Sequence, residues 1–223
     1  ASYIAIGQSS VSGLRDLYSG KNQWDSKANL DSYGKYAALK TKGCTNTDVL
    51  TKTNNVEDFI GGKAAMIIDG TWDTQKFTDA MKTNVAAFVP PFSDKPIKGV
   101  VEFAGQGLAM TNYSKNQAAA SKFLEFMTTD AAATILDGVG LIPNITGSKT
   151  TNPVNQQMLD FAAKQGFTRY PMLDNVLQGD VVDAGNKIIP AILGGKTKAA
   201  DGLKQMAQVW KALPEAKRGA SYK

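Results

Sequence analysis

Residues Phe59 to Trp72 read FIGGKAAMIIDGTW, and the succession of residue types along them decides the fold class. Asn54 to Ile60 is expected to form a short helix that the Gly61-Gly62 pair ends. Ala64 to Ile68 then make an apolar run of strand length, and Asp69-Gly70-Thr71 turn the chain into a further helix expected through Met81. Trp72 therefore falls in the first turn of a helix, just past the end of a strand. In α/β folds, ligands gather at the carboxyl ends of strands beside helix N-termini. The ring reads either as a stacking platform or as a piece of core.

Outward from this stretch, short apolar runs alternate with longer amphipathic ones. Ser2 to Ile6 reads as a strand ending at Gly7-Gln8-Ser9. Asp31 reads as the N-cap of a helix through Lys42, stopped by Gly43. Val85 to Val89 reads as a strand ended by Pro90-Pro91, followed by a loop to Gly99. Val100 to Phe103 and Leu108 to Met110 are expected to be extended, with Gly105-Gln106-Gly107 between them. Asn116 to Thr128 carries a helical stripe of Ala119, Ala120, Phe123, Leu124 and Met127. Asp130 to Leu136 makes a second helix. After a turn-rich stretch, Pro153–Gln165, Val176–Leu193 and Thr197–Leu213 are expected as three more helices. Trp24 falls in an expected hairpin, and Trp210 shares the apolar face of the last helix with Leu203, Met206 and Leu213.

The pattern F-x-x-G-K-A-A-M-x-x-x-G-x-W resembles the extracellular solute-binding proteins of ABC importers, in their sugar-binding, maltose-binding-protein-like group. Three further blocks agree with that family in order and spacing. They are Val100–Met110 with NYSKNQAAASKFLEFMT at 112 to 128, then Gly138-Val139-Gly140-Leu141-Ile142-Pro143, and Ile192-Leu193-Gly194-Gly195-Lys196-Thr197 before the terminal helix. The resemblance implies an α/β lobe of the periplasmic-binding-protein-like type II fold, with a mixed, mostly parallel sheet flanked by helices. Family members are two-lobed and have well over a hundred residues before the Phe59–Trp72 block. With 223 residues, this chain reads as a C-terminal fragment whose first lobe is largely missing. Residues 1–103 and 147–223 would belong to the second lobe and 104–146 to the first.

Composition is that of a globular chain, 43% hydrophobic and 20% charged, and no apolar run approaches a membrane span. The net charge is +5, but the lysines are scattered singly instead of clustering on one face, which argues against a nucleic-acid partner. There is no histidine and a single cysteine, so Ser-His-Asp or Cys-His catalysis and Cys/His zinc sites are out of reach. Gly195-Lys196-Thr197 ends like a phosphate-binding loop, yet Pro190 stands where the first glycine is required. Gly105-Gln106-Gly107 lacks the third glycine of a dinucleotide fingerprint. No catalytic residue, metal or cofactor is expected.

Binding is expected instead. A sugar offers C–H groups on one face and hydroxyls around its rim, so its receptor needs flat rings and short polar side chains. Matched to the family's Gly-x-Trp, Trp72 would be the platform, and Asp69 either accepts from hydroxyls or caps the helix. Glu102, Gly105 and Gln106 lie on the family's crossing strand, although Glu102 reads equally as a salt-bridge partner. Gln8 and Ser9 end the first strand and read as ligand contacts or surface loop. Tyr170 stands where the family's chain returns to the cleft, or in the core. The resemblance implies capture of a sugar or oligosaccharide outside the cytoplasm, in the periplasm or on a lipid anchor, and delivery to an ABC permease by hinge closure. A sensor domain on the same lobes, or a receptor for another solute such as a polyamine, stays open as an alternative. The apolar face of the 116–128 helix is expected to favour self-association where no complete lobe covers it.

Overall fold

The computed structural model describes residues 12–51, 54–89, 98–102, 107–147 and 149–218. The expected strand at Ser2–Ile6 and the candidates Gln8, Ser9, Gly105 and Gln106 lie outside them. The chain divides into two compact units. Unit 1 comprises Ala1–Thr53, Val89–Ala104 and Gln165–Lys223; unit 2 comprises Asn54–Phe88 and Gly105–Lys164. In unit 2, residues 54–88 and 147–164 are grouped with 105–146.

Unit 1 holds helix α1 (12–19), α2 (Lys27–Thr41), strands β1 (Gly99–Glu102) and β2 (Thr168–Pro171), and helices α8 (Leu173–Val176), α9 (Gly179–Leu193) and α10 (Ala199–Ala212). The two strands pair in parallel, with Val100 opposite Arg169 and Val101 opposite Tyr170. The fold is α/β, mostly helical, with this small parallel sheet among the described residues. In α10, Leu203, Met206, Ala207 and Trp210 recur at helical spacing and are buried. They join Leu14, Leu17 and Tyr18 of α1, Trp24 and Val181 in the core of this unit. Burying a leucine, valine or methionine of this set stabilises by roughly 1.5–3 kcal/mol. Tyr33 of α2 packs with Ile189, Ile192 and Leu203, and burial pushes its hydroxyl well above the usual tyrosine range.

Three sequence expectations change here. Helix α1 was not anticipated, although Leu14, Leu17 and Tyr18 mark an i, i+3, i+4 stripe. Trp24 follows it in a turn, not a hairpin, and is buried. Asp31 is not a cap: α2 begins four residues earlier, after Ser26, and Asp31 pairs with Lys27 one turn before it at 2.7 Å.

Unit 2 holds α3 (Asn55–Ile60), a short 3-10 turn (Thr71–Asp73), α4 (Thr74–Met81), α5 (Gln117–Phe126), α6 (Asp130–Gly138) and α7 (Pro153–Gln165). Helix α7 starts where Asn152 precedes Pro153. The Asn152 side-chain oxygen accepts from the N–H groups of Val154 at 3.1 Å and Asn155 at 3.2 Å. That is an N-cap with proline at the first helical position, where its missing N–H costs nothing. The runs expected as strands at Ala64–Ile68 and Val85–Val89 belong to no ladder among the described residues. A strand is made by its neighbours, and none of the described ones stands beside either run.

Candidate functional site

Helix α3 is closed by Gly62, whose φ of +74° lies in the left-handed region that a side chain disfavours. The Gly62 N–H donates to the Phe59 carbonyl at 3.1 Å and the Lys63 N–H to the Asp58 carbonyl at 2.9 Å. This pair of bonds is a Schellman motif, and it sends the chain into the apolar run. The run ends at Asp69-Gly70, where the 3-10 turn begins. Thr74 leads α4 out of the turn, and its hydroxyl donates back to the Thr71 carbonyl at 2.7 Å.

Trp72 sits in that turn and is 50% exposed, whereas Trp24 and Trp210 are buried at 2% and 9%. It is therefore not core packing. Its indole lies against Gly70 so closely that a Cβ there would come 2.2 Å from Cζ3. Asp69 stands beside it. The Gly70 N–H donates to the Asp69 carboxylate at 2.8 Å, and the Trp72 side chain, whose one donor is the indole N–H, also hydrogen-bonds it. Desolvation raises the Asp69 pKa above the usual carboxylate value. The Gly70 N–H works against that shift, Asp73 adds to it, and the bond from Trp72 and the charge of Lys76 oppose it. Asp73 in turn pairs with Lys76 one turn along. The result is a half-open aromatic face bordered by an acceptor carboxylate and an ion pair.

A buried polar cluster supports this surface. Gly140, the left-handed residue closing α6 (φ +81°), packs on the first turn of α4. A Cβ there would stand 2.5 Å from Gln75 Cβ. The Asn155 side-chain amide, in a residue fully buried, donates to the Gly140 carbonyl at 2.8 Å. Asn152 donates to Gln75 Oε1 at 3.3 Å and to the Thr78 hydroxyl at 3.2 Å. At the end of α6, Asp137 accepts from the Thr151 hydroxyl at 2.6 Å and the Thr151 N–H at 2.9 Å. The hydroxyl bond is the main cause of its lowered pKa. The sequence reading missed Asn152 and Asn155. The one signal for them was an Asn immediately before a helix-opening Pro.

Two further candidates lie in unit 1. Glu102 ends β1 in unit 1, where it is exposed and pairs with Arg169 at 3.2 Å, the salt-bridge role weighed for it. Tyr170 is 2% exposed and belongs to the unit 1 core. That is the core placement weighed beside its reading as a ligand contact. Asp69 caps no helix: Gly70 occupies the cap position of the 3-10 turn. Among the described residues no group of acidic, cysteine or histidine side chains could hold a metal ion.

Residues 16–163, about two thirds of the chain, match the family of bacterial extracellular solute-binding proteins. The chain is 29% identical over 152 residues to the maltooligosaccharide ABC transporter solute-binding lipoprotein of Streptococcus pneumoniae serotype 4 (strain ATCC BAA-334 / TIGR4). It matches the protein of that name from strain ATCC BAA-255 / R6 to the same degree. The matched stretch is 65% of this chain and 36% of either relative, so the chain matches about a third of their length. A solved structure, a chitin oligosaccharide binding protein, shares the fold with a TM-score of 0.76 at 17% identity, over 99% of this chain and 56% of that one.

Proposed function

This chain belongs to the bacterial extracellular solute-binding proteins, and from that premise we propose that it captures a sugar or oligosaccharide for an ABC importer. The observation that carries the reading is Trp72, half exposed and bonded to the Asp69 carboxylate in one turn. The flat indole suits the C–H face of a sugar ring, and the carboxylate beside it suits the hydroxyls at the rim. Capture and release complete the task, with no bond made or broken in the solute. The relatives support the ligand class: two are named for maltooligosaccharides and one for chitin oligosaccharides.

A polyamine fits less well. Such a cation needs free carboxylates around the ring, and Asp73 is already paired with Lys76. The family places the protein outside the cytoplasm, and we extend this to a periplasmic or lipid-anchored location on the strength of the lipoprotein relatives. No helix among the described residues is long and apolar enough to cross a membrane.

Titration calorimetry with maltotetraose, chitotetraose and spermidine tests the reading. Saturable heat with one of the two sugars and none with spermidine is expected. Binding of spermidine alone, or release of chromophore from chromogenic glycosides, would overturn it.

A further inference from the structure

The sequence holds three Asp-Gly pairs: Asp69-Gly70, Asp137-Gly138 and Asp201-Gly202. The amide nitrogen of a glycine, with no Cβ beside it, meets little hindrance on approaching the carboxyl group of the residue before it. The fold treats the three pairs differently. Gly202 lies within α10, where its N–H donates to the Lys198 carbonyl at 3.0 Å. Gly138 is the last residue of α6, and the Asp137 carboxylate before it is held by the Thr151 hydroxyl and N–H. Both pairs are tied to a helix.

Asp69-Gly70 is not. Its two residues lie outside helix, turn and bend; Asp69 is exposed, and Gly70 is extended at φ −115° and ψ 175°. The Gly70 N–H donates to Asp69 Oδ1 at 2.8 Å. That bond folds the carboxyl group over the amide that follows it. A single bond from the Gly70 nitrogen to Asp69 Cγ would then close a five-membered ring. The Trp72 side chain donates to the same carboxyl group, and a donor there stabilises negative charge building on the oxygen during attack. Desolvation, which raises the Asp69 pKa, favours the protonated carboxyl, the form whose hydroxyl departs as water. At Asp137 the shift has the opposite sign.

We propose that Asp69-Gly70 is a site of spontaneous covalent modification, at which Asp69 converts to isoaspartate through a cyclic imide. The Gly70 nitrogen bonds to Asp69 Cγ and gives up its proton, and the Cγ–OH bond breaks to release water. Water then adds to the main-chain carbonyl carbon of Asp69. The bond from that carbon to the Gly70 nitrogen breaks; the carbon keeps the hydroxyl and the nitrogen takes the proton. One water leaves and one returns, and nothing is oxidised or reduced. The chain now runs through the former side chain, one methylene longer, and the free carboxyl group stands on Cα. This lengthening enters the turn that seats the indole of Trp72 against Gly70, so ring and carboxylate part. Resting on the sugar-binding reading above, the consequence is an affinity that declines as the protein ages.

Ageing the purified 223-residue chain in heavy-oxygen water at neutral pH, then peptide mapping with electron-transfer dissociation, tests this. Isoaspartate carrying one heavy oxygen is expected at position 69, at least about tenfold more than at 137 or 201, whose helices must first open locally. Asp69→Asn, which releases ammonia in place of water, should convert faster, and Asp69→Glu, which cannot close the five-membered ring, should not convert. Isoaspartate absent from position 69, equal at all three pairs, or undiminished in Asp69→Glu overturns the proposal. The isoaspartyl fraction, separated by ion exchange, is then titrated with maltotetraose and chitotetraose. Affinity several-fold below that of the fresh chain supports both readings. Isoaspartate at 69 with unchanged affinity upholds the modification and removes Asp69 from the sugar site.

Discussion

The indole of Trp72 rests against Gly70, and a methyl group on Gly70 would come within 2.2 Å of its ring. The backbone of Gly70 is extended, with φ −115° and ψ 175°, a conformation alanine adopts freely. Gly70→Ala should therefore act through the ring alone. The indole is expected to move off the turn and oligosaccharide affinity to fall several-fold, with stability changed by no more than about 0.5 kcal/mol. The Trp72 indole N–H resonance should shift while the other two tryptophan signals hold. An unmoved resonance would mean that the ring does not depend on this contact.

The Asn155–Gly140 bond ties the end of α6 to the start of α7, beneath the first turn of α4. Asn155→Leu leaves a buried carbonyl without its donor and should cost about 1–3 kcal/mol in urea unfolding. Asn152→Ala removes the cap of α7 and should cost about 1 kcal/mol. The two residues share one network, so the double variant should lose less or more than the sum. Strict additivity would show that they act separately.

Asp69 gives a pH signature with a definite sign. Its pKa in the folded protein lies above the ordinary aspartate value of 3.8, with desolvation the main cause. The folded state then holds the proton more tightly than the unfolded one, so stability declines as pH rises from 3.8 through the folded value. Ligand affinity runs the other way: the acceptor carboxylate is lost as pH falls through that folded value. Asp69→Asn should flatten both dependences, measured by thermal unfolding and by sugar titration between pH 3.5 and 7. A variant that keeps the wild-type affinity profile would remove Asp69 from the site.

What was legible in the sequence followed locality. Helices α3, α6 and α7 were readable because their signals are adjacent residues: the glycines Gly61-Gly62 and Gly138, and the proline at 153. The α10 stripe of Leu203, Met206 and Trp210 was readable from period alone. Strands were not. AAMII and VAAFV have strand length, but pairing depends on partners distant in sequence, and the pairing among the described residues joins β1 to β2, a four-residue TRYP that ends in proline. The site was half legible. Gly-x-Trp pointed to Trp72, but nothing local showed that its ring would stay open while Trp24 and Trp210 were buried. For Tyr170 the sequence left cleft and core open, and its place in the unit 1 core depends on residues distant in sequence.

The most direct test is titration of the complete gene product, wild type and Trp72→Ala, with maltotetraose and chitotetraose. If the ring is the main anchor, the variant binds more than about tenfold more weakly, a loss above roughly 1.4 kcal/mol, and Trp72→Phe recovers part of it. An affinity unchanged by Trp72→Ala would contradict the account and leave this half-exposed indole without a role in sugar capture.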